Sequence, residues 1–160
     1  MWSATSGTRR FYDAPVEDAA RPRATGRCLC GAVRFEVHGP LRDVVLCHCE
    51  ECARWGGYLG AFAAARPDDL ELVADETLVW IASPQSDRQA RRAFCGACGS
   101  SLFWQTAEGD RVSIAAGTLD RPTGLRLAGR WYTRHAADYD VLDEELPRDS
   151  ELDFDAIPWG

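Results

Sequence analysis

The chain has 160 residues, 46% hydrophobic and 27% charged, an ordinary composition for one soluble domain with a real core. Its formal net charge is −7 and all 18 of its bases are arginine; an acidic surface argues against nucleic-acid binding, which needs a basic face. No apolar run approaches the roughly 20 residues of a membrane helix, and residues 1–27 hold no apolar stretch of a secretory signal, so no membrane partner and a cytoplasmic location are the expectations.

Residues 1–26 mix Ser, Thr, Arg, Ala, Pro and Asp without periodicity and read as an N-terminal arm. It is either flexible or docked through Trp2, Phe11 and Tyr12, on the body or on the partner subunit of a homodimer. Residues 27–147 read as one domain, mostly β. Val33, Phe35 and Val37 alternate with polar neighbours, as in a half-buried strand, and Gly39-Pro40 ends it. Val44-Val45-Leu46 is a second strand. Gly56-Gly57 closes a turn or short helix after Cys52. Leu59 to Ala65 reads as a buried strand, although its alanines suit a helix equally. Pro67-Asp68-Asp69 is a turn between that segment and two strands, Leu70–Val73 and Leu78–Ile81. Ser83 to Gln89 is a polar loop. Arg92-Ala93-Phe94, Leu102-Phe103-Trp104 and Val112-Ser113-Ile114 are further strands, and Leu125 to Tyr132 carries the last. Residues 148–160 read as an acidic C-terminal tail. Trp55, Phe62, Trp80, Phe94, Phe103 and Trp104 are the expected aromatic core.

Seven cysteines fall in three clusters: Cys28-x-Cys30, Cys47-x-Cys49-x-x-Cys52 and Cys95-x-x-Cys98. The odd count argues against a disulfide framework and for metal thiolates. A closed structural zinc takes four thiolates, whereas a catalytic zinc takes three protein ligands and leaves one position open. Cys28 and Cys30 can combine with Cys95 and Cys98, each pair followed by a glycine that a tight turn favours. Cys47, Cys49 and Cys52 remain. They form either an open site or a second structural site completed by a ligand from elsewhere. An open three-thiolate zinc suits a substrate thiolate or a sulfur–carbon adduct. His48 lies between two of these cysteines and, in an extended segment, points away from them, so a supporting or core role is expected. His38 and His135 read as surface residues.

Cys28-Leu29-Cys30-Gly31-Ala32-Val33-Arg34-Phe35, Cys47-His48-Cys49-Glu50-Glu51-Cys52 and Phe94-Cys95-Gly96-Ala97-Cys98-Gly99-Ser100-Ser101-Leu102 together resemble the glutathione-dependent formaldehyde-activating enzyme family, also called the centromere protein V/Gfa family. Gly117-Thr118-Leu119-Asp120 and Ala136 to Pro147 extend the resemblance. It implies a single-domain β-tent of short antiparallel sheets around zinc knuckles, with two zinc ions. Cys28, Cys30, Cys95 and Cys98 would hold a structural ion, and Cys47, Cys49 and Cys52 a catalytic one. The implied activity is that of a carbon–sulfur lyase on an adduct such as S-(hydroxymethyl)glutathione, with a small-molecule thiol, glutathione, as partner. Arg54, Arg91 or Arg92 could pair with carboxylates of a peptide thiol, the plainer reading of each being a surface arginine. Trp55 and Phe62 could wall the pocket. Arg54 and Trp55 are thus the candidate thiol-binding residues. Trp55-Gly56-Gly57, Arg130 and Tyr139 depart from the family's usual residues. The alternative class is a non-catalytic zinc module that binds a protein partner.

Overall fold

The alternating segment around Phe35 forms β2 (Arg34–Val37), with Phe35 and Val37 buried and Arg34 exposed. The computed structural model describes residues 21–86 and 88–160, so Trp2, Phe11 and Tyr12 lie outside the described residues. Strand β1 (Ala24–Arg27) pairs antiparallel with β2, and β2 pairs antiparallel with β5 (Leu70–Ala74). Gly26 of β1 lies directly under the Phe35 ring, where an added Cβ would come within 2.2 Å of it. Only glycine lets the two backbones pair there.

A seven-stranded sheet takes the order β10-β3-β4-β9-β8-β7-β6. Its members are β3 (Arg42–Cys47), β4 (Gly60–Ala65), β6 (Leu78–Ala82), β7 (Arg91–Cys95), β8 (Ser101–Gln105), β9 (Val112–Ala115) and β10 (Leu127–Trp131). All its pairs are antiparallel except β10 with β3, which run parallel and set Trp131 opposite Cys47. The alanine run that suited helix or strand alike is a strand because β3 and β9 pair with it on both sides. Ala63, Ala64 and Ala65 are each 0% exposed, and such close cover on both faces admits only small side chains. Among the described residues one α-helix occurs, α1 (Glu50–Gly56). No helix among them is long and apolar enough to cross a membrane.

The main core lies between the sheets, where Phe35 and Val37 of the first, with Val33 just before β2, meet Ala63, Ala93, Phe103 and Ile114 of the second. Phe35 meets Phe103 edge-on, with centroids 5.1 Å apart, and Trp80 stacks on Phe103 at 6.1 Å. Of the six aromatics expected in the core only Phe103 is fully buried. The other five are half-buried; Trp80, for example, sits on the edge strand β6 with the Arg91 guanidinium over its ring at 4.3 Å. A second, smaller core joins Val45 to Leu152 and Ile157, with Trp131 and Phe154 against them. Residues 148–160, read as an acidic tail, thus pack on this core, and their end runs beside the start of β3, where Leu41 and Gly160 exchange backbone hydrogen bonds of 2.9 Å.

Candidate metal centres

Two of the cysteine pairs sit on tight turns at neighbouring strand ends. Cys28 and Cys30 follow β1; Cys95 ends β7 and Cys98 lies in the turn into β8. Gly31 and Gly99, the glycines after each pair, adopt φ of +79° and +77°, a left-handed conformation that costs glycine little. The turns close through Gly31 N–H to Cys28 O at 3.1 Å and Gly99 N–H to Cys95 O at 2.7 Å. All four sulfurs lie within 4.8 Å of one another. The Sγ separations are 3.5 Å for Cys28 to Cys30 and 3.8 Å for Cys30 to Cys95. A tetrahedron with Zn–S bonds of about 2.3 Å has edges of about 3.8 Å, so this set fits zinc.

The surroundings favour thiolates. The Ser100 hydroxyl, 3.2 Å from Cys98 Sγ, and nearby backbone N–H groups pull the Cys98 thiol down to about 5. The Thr77 hydroxyl, 3.2 Å from Cys95 Sγ, lowers that thiol too. Ser100 Oγ also accepts the Leu29 N–H at 2.9 Å, which ties the two turns together.

Cys47, Cys49 and Cys52 also lie with their sulfurs within 4.8 Å of one another. Cys47 ends β3, Cys49 caps α1 and Cys52 is buried in its first turn. Cys49 Sγ accepts the Cys52 N–H at 3.4 Å, taking the place of the usual oxygen cap. The helix ends where Gly57 takes φ +86° and donates to Ala53 O at 2.8 Å. The Cys47 and Cys52 thiols both donate to Cys49, which pulls it down to about 2. The same contact pushes Cys47 up. One thiolate here forms easily and three do not form without a cation, so the donor set fits a metal such as zinc.

His48 does not join this group. It is buried, as the opposed directions of neighbouring side chains imply. Its Nδ1 meets Asp140 Oδ2 at 2.9 Å and its Nε2 lies 3.3 Å from Arg130 Nη1. Burial, and after it the Arg130 charge, hold the imidazole below its usual range against the pull of Asp140. The ring thus lies between a carboxylate facing Nδ1 and a guanidinium facing Nε2. Tyr58 donates its hydroxyl to the other Asp140 oxygen at 2.5 Å. The His48 N–H donates to Trp131 O at 2.9 Å.

The three candidate arginines separate. Arg54 is exposed and pairs with Glu50 at 2.8 Å, one turn back on α1. Arg91 is exposed and bonds Gln105 at 3.1 Å. Arg92, read most plainly as a surface residue, is 2% exposed. It is buried because Glu51 supplies a carboxylate at 2.9 Å and Ser83 a hydroxyl at 3.0 Å. Its Nη2 also lies 3.8 Å from Cys52 Sγ. Trp55 is half-buried, edge-on to Phe94 with centroids 5.7 Å apart and with the Arg92 guanidinium 5.7 Å from its ring.

Sequence reasoning missed Glu51, Ser83, Tyr58 and Asp140. Glu51 stands inside the cysteine motif, but nothing in the motif says that it turns back to β7. Asp140 carried no signal, since its partner His48 lies 92 residues earlier, a separation read from their numbers. Glu36, His38 and Glu71 make a third group, on the β2–β5 face. It is exposed, and His38 Nε2 bridges the two carboxylates at 3.5 and 3.1 Å.

No curated protein matches the chain. A crystal structure of a Rhodobacter sphaeroides protein is similar to it, at 30% identity and a TM-score of 0.52, covering 61% of this chain and 88% of that one. The model of the glutathione-dependent formaldehyde-activating enzyme family matches residues 23–135, a span that contains all seven cysteines. With that span well over half of its length, the chain belongs to the glutathione-dependent formaldehyde-activating enzyme family.

Proposed function

We propose that the protein is a zinc-dependent enzyme of the carbon–sulfur lyase type, acting on the adduct of a small aldehyde with a thiol, such as S-(hydroxymethyl)glutathione. The observation that carries this reading is the inequality of the two cysteine sets. Four sulfurs complete a tetrahedron, whereas three leave one position for a substrate. In this reading Cys28, Cys30, Cys95 and Cys98 hold a structural ion and Cys47, Cys49 and Cys52 a catalytic one. Bound to three thiolates, zinc would supply a Lewis-acidic position that favours a sulfur ligand.

The chain's own residues have separate tasks. The His48–Asp140 pair holds the backbone between Cys47 and Cys49. Trp55 packs on Phe94 and beside the Arg92 guanidinium, which reaches Cys52. Arg54, with its side chain 76% exposed, is free to exchange Glu50 for a carboxylate of the thiol. The reaction breaks the carbon–sulfur bond with its electron pair left on sulfur, while the adduct's hydroxyl gives its proton to solvent as the aldehyde's carbonyl forms.

The test is calorimetry of the zinc-loaded protein with glutathione in buffers of different ionisation enthalpy, together with exchange NMR of the glutathione–formaldehyde adduct. Binding with proton release and exchange above the uncatalysed rate are expected. If no low-molecular-weight thiol binds and exchange stays at the uncatalysed rate, the enzymatic reading fails and the zinc module that binds a protein partner takes its place.

A further inference from the structure

We propose that Arg92 is a positioning residue for the three-cysteine centre. Locked by Glu51 and Ser83, its guanidinium fixes the Cys52 sulfur and draws charge from it. This rests on the reading that Cys47, Cys49 and Cys52 hold an ion.

The geometry is a closed ring. Arg92 Nη2 donates to Glu51 Oε2 at 2.9 Å, and Arg92 Nε donates to Ser83 Oγ at 3.0 Å. Ser83 in turn donates to Glu51 Oε1 at 2.6 Å, and the Gln85 N–H adds a second donor to that oxygen at 3.3 Å. With both Glu51 oxygens and the Ser83 hydroxyl engaged, the guanidinium plane has little freedom. It points one N–H at Cys52 Sγ, 3.8 Å away. Glu51 and Cys52 are neighbours on α1, so the carboxylate that holds the arginine and the sulfur that receives it move together.

Two physical arguments give the ring a task beyond holding the fold. A buried ion pair is weak evidence for stability, because an apolar replacement of similar volume often serves as well. Here the guanidinium also meets a sulfur that must become a thiolate to bind metal, and an N–H bond to an anionic acceptor is about twice as strong as one to a neutral acceptor. Outer partners of this kind orient a metal's ligands and tune them. Arg92 also stands on β7 three positions before Cys95 of the other centre, so that centre serves as an internal control for damage to the strand.

The experiment is metal titration with cobalt(II), whose thiolate charge-transfer bands report each centre. Cys49→Ser supplies the spectrum of the four-cysteine centre alone. Arg92→Gln should weaken cobalt and zinc binding at the three-cysteine centre by about 10- to 100-fold and shift its charge-transfer band. The four-cysteine centre should stay loaded. Arg92→Lys, which restores the cation without the fork, should recover part of the band shift and less of the affinity. Glu51→Gln keeps Arg92 in place and loosens its lock, so it should give a smaller loss of the same kind and serves where Arg92→Gln fails to fold. Unchanged affinity and band position in both Arg92→Gln and Glu51→Gln overturn the proposal. Equal loss at both centres also overturns it, since that marks Arg92 as a support of β7 alone. A wild-type protein that takes one cobalt and shows only the four-cysteine spectrum refutes the underlying two-ion reading instead.

Discussion

Replacing Asp140 with alanine isolates the contact that ties the segment after Trp131 to the cysteine loop. The Asp140 side chain is 4% exposed and that of His48 2%. The carboxylate faces His48 Nδ1 at 2.9 Å through one oxygen and accepts the Tyr58 hydroxyl at 2.5 Å through the other. Tyr58 is 43% exposed, so its hydroxyl can turn to water and its bond adds little to the loss. His48 has no such recourse. A buried polar group left without its partner costs about 1–3 kcal/mol. Freed from burying a carboxylate, the variant regains part of that, which leaves a net loss of about 1–2 kcal/mol. At about 2–4 °C per kcal/mol for a chain of this size, the melting temperature of the zinc-loaded protein should fall by roughly 2–8 °C. Tyr58→Phe should fall less. A double-mutant cycle of Asp140→Ala with His48→Ala should show coupling of at least about 1 kcal/mol. A loss below about 0.5 kcal/mol with no coupling would show that the pair does not hold the loop.

Metal analysis of protein purified without added zinc should give about two equivalents, one for each cysteine set; a value near zero with the cysteines in disulfides would refute both centres. Cys95→Ser should lower solubility and melting temperature sharply, because its sulfur closes a set joining β1 to β7. Cys49→Ser should keep the fold and lose one equivalent, and equal damage from the two would mark both sets as structural. Gly129→Ala should cost about 1–3 kcal/mol in a urea melt, because the new Cβ would lie 2.6 Å from Leu152 and 2.7 Å from Pro147 O. An unchanged midpoint would mean that residues 147–152 yield freely. Arg54→Ala should leave stability within about 0.5 kcal/mol, since exposed i,i+4 pairs contribute little. Any loss of glutathione affinity in it then reports contact with the ligand, and an unchanged affinity removes Arg54 from the thiol site.

The strands that alternate were legible because period 2 is a local signal: Val33-Phe35-Val37 and Val112-Ile114 stand where the pattern puts them. Strand β1 was missed, since Ala-Thr-Gly-Arg has no alternation and its cue, Gly26, has meaning only beneath the Phe35 ring. The parallel pairing of β10 with β3 was beyond a local reading too, being set by the smaller core that Leu152 and Ile157 build. The cysteine sets were legible for the opposite reason. Ligand spacing writes geometry into the chain at short range, and chemistry then demands that distant pairs meet. What holds those cysteines in place had no such spacing. Arg92 finds Glu51 across 41 positions and Tyr58 finds Asp140 across 82, and neither pairing is visible until the sheet brings them together.

That difference bears on how the two cysteine sets are held. The four-cysteine set is braced by groups in its own turns and at the adjoining strand end: Ser100, the turn glycines and Thr77. The three-cysteine set leans on long-range ones: His48 on Asp140 and Arg130, and Cys52 on Arg92. Those partners come from distant parts of the chain, and β7, which carries Arg92, ends in Cys95 of the first set. Closure of the four-cysteine set therefore bears on the second set through β7. It anchors the end of the strand from which Arg92 reaches the second set, so loss of the first centre should disarm the second, while the reverse need not hold.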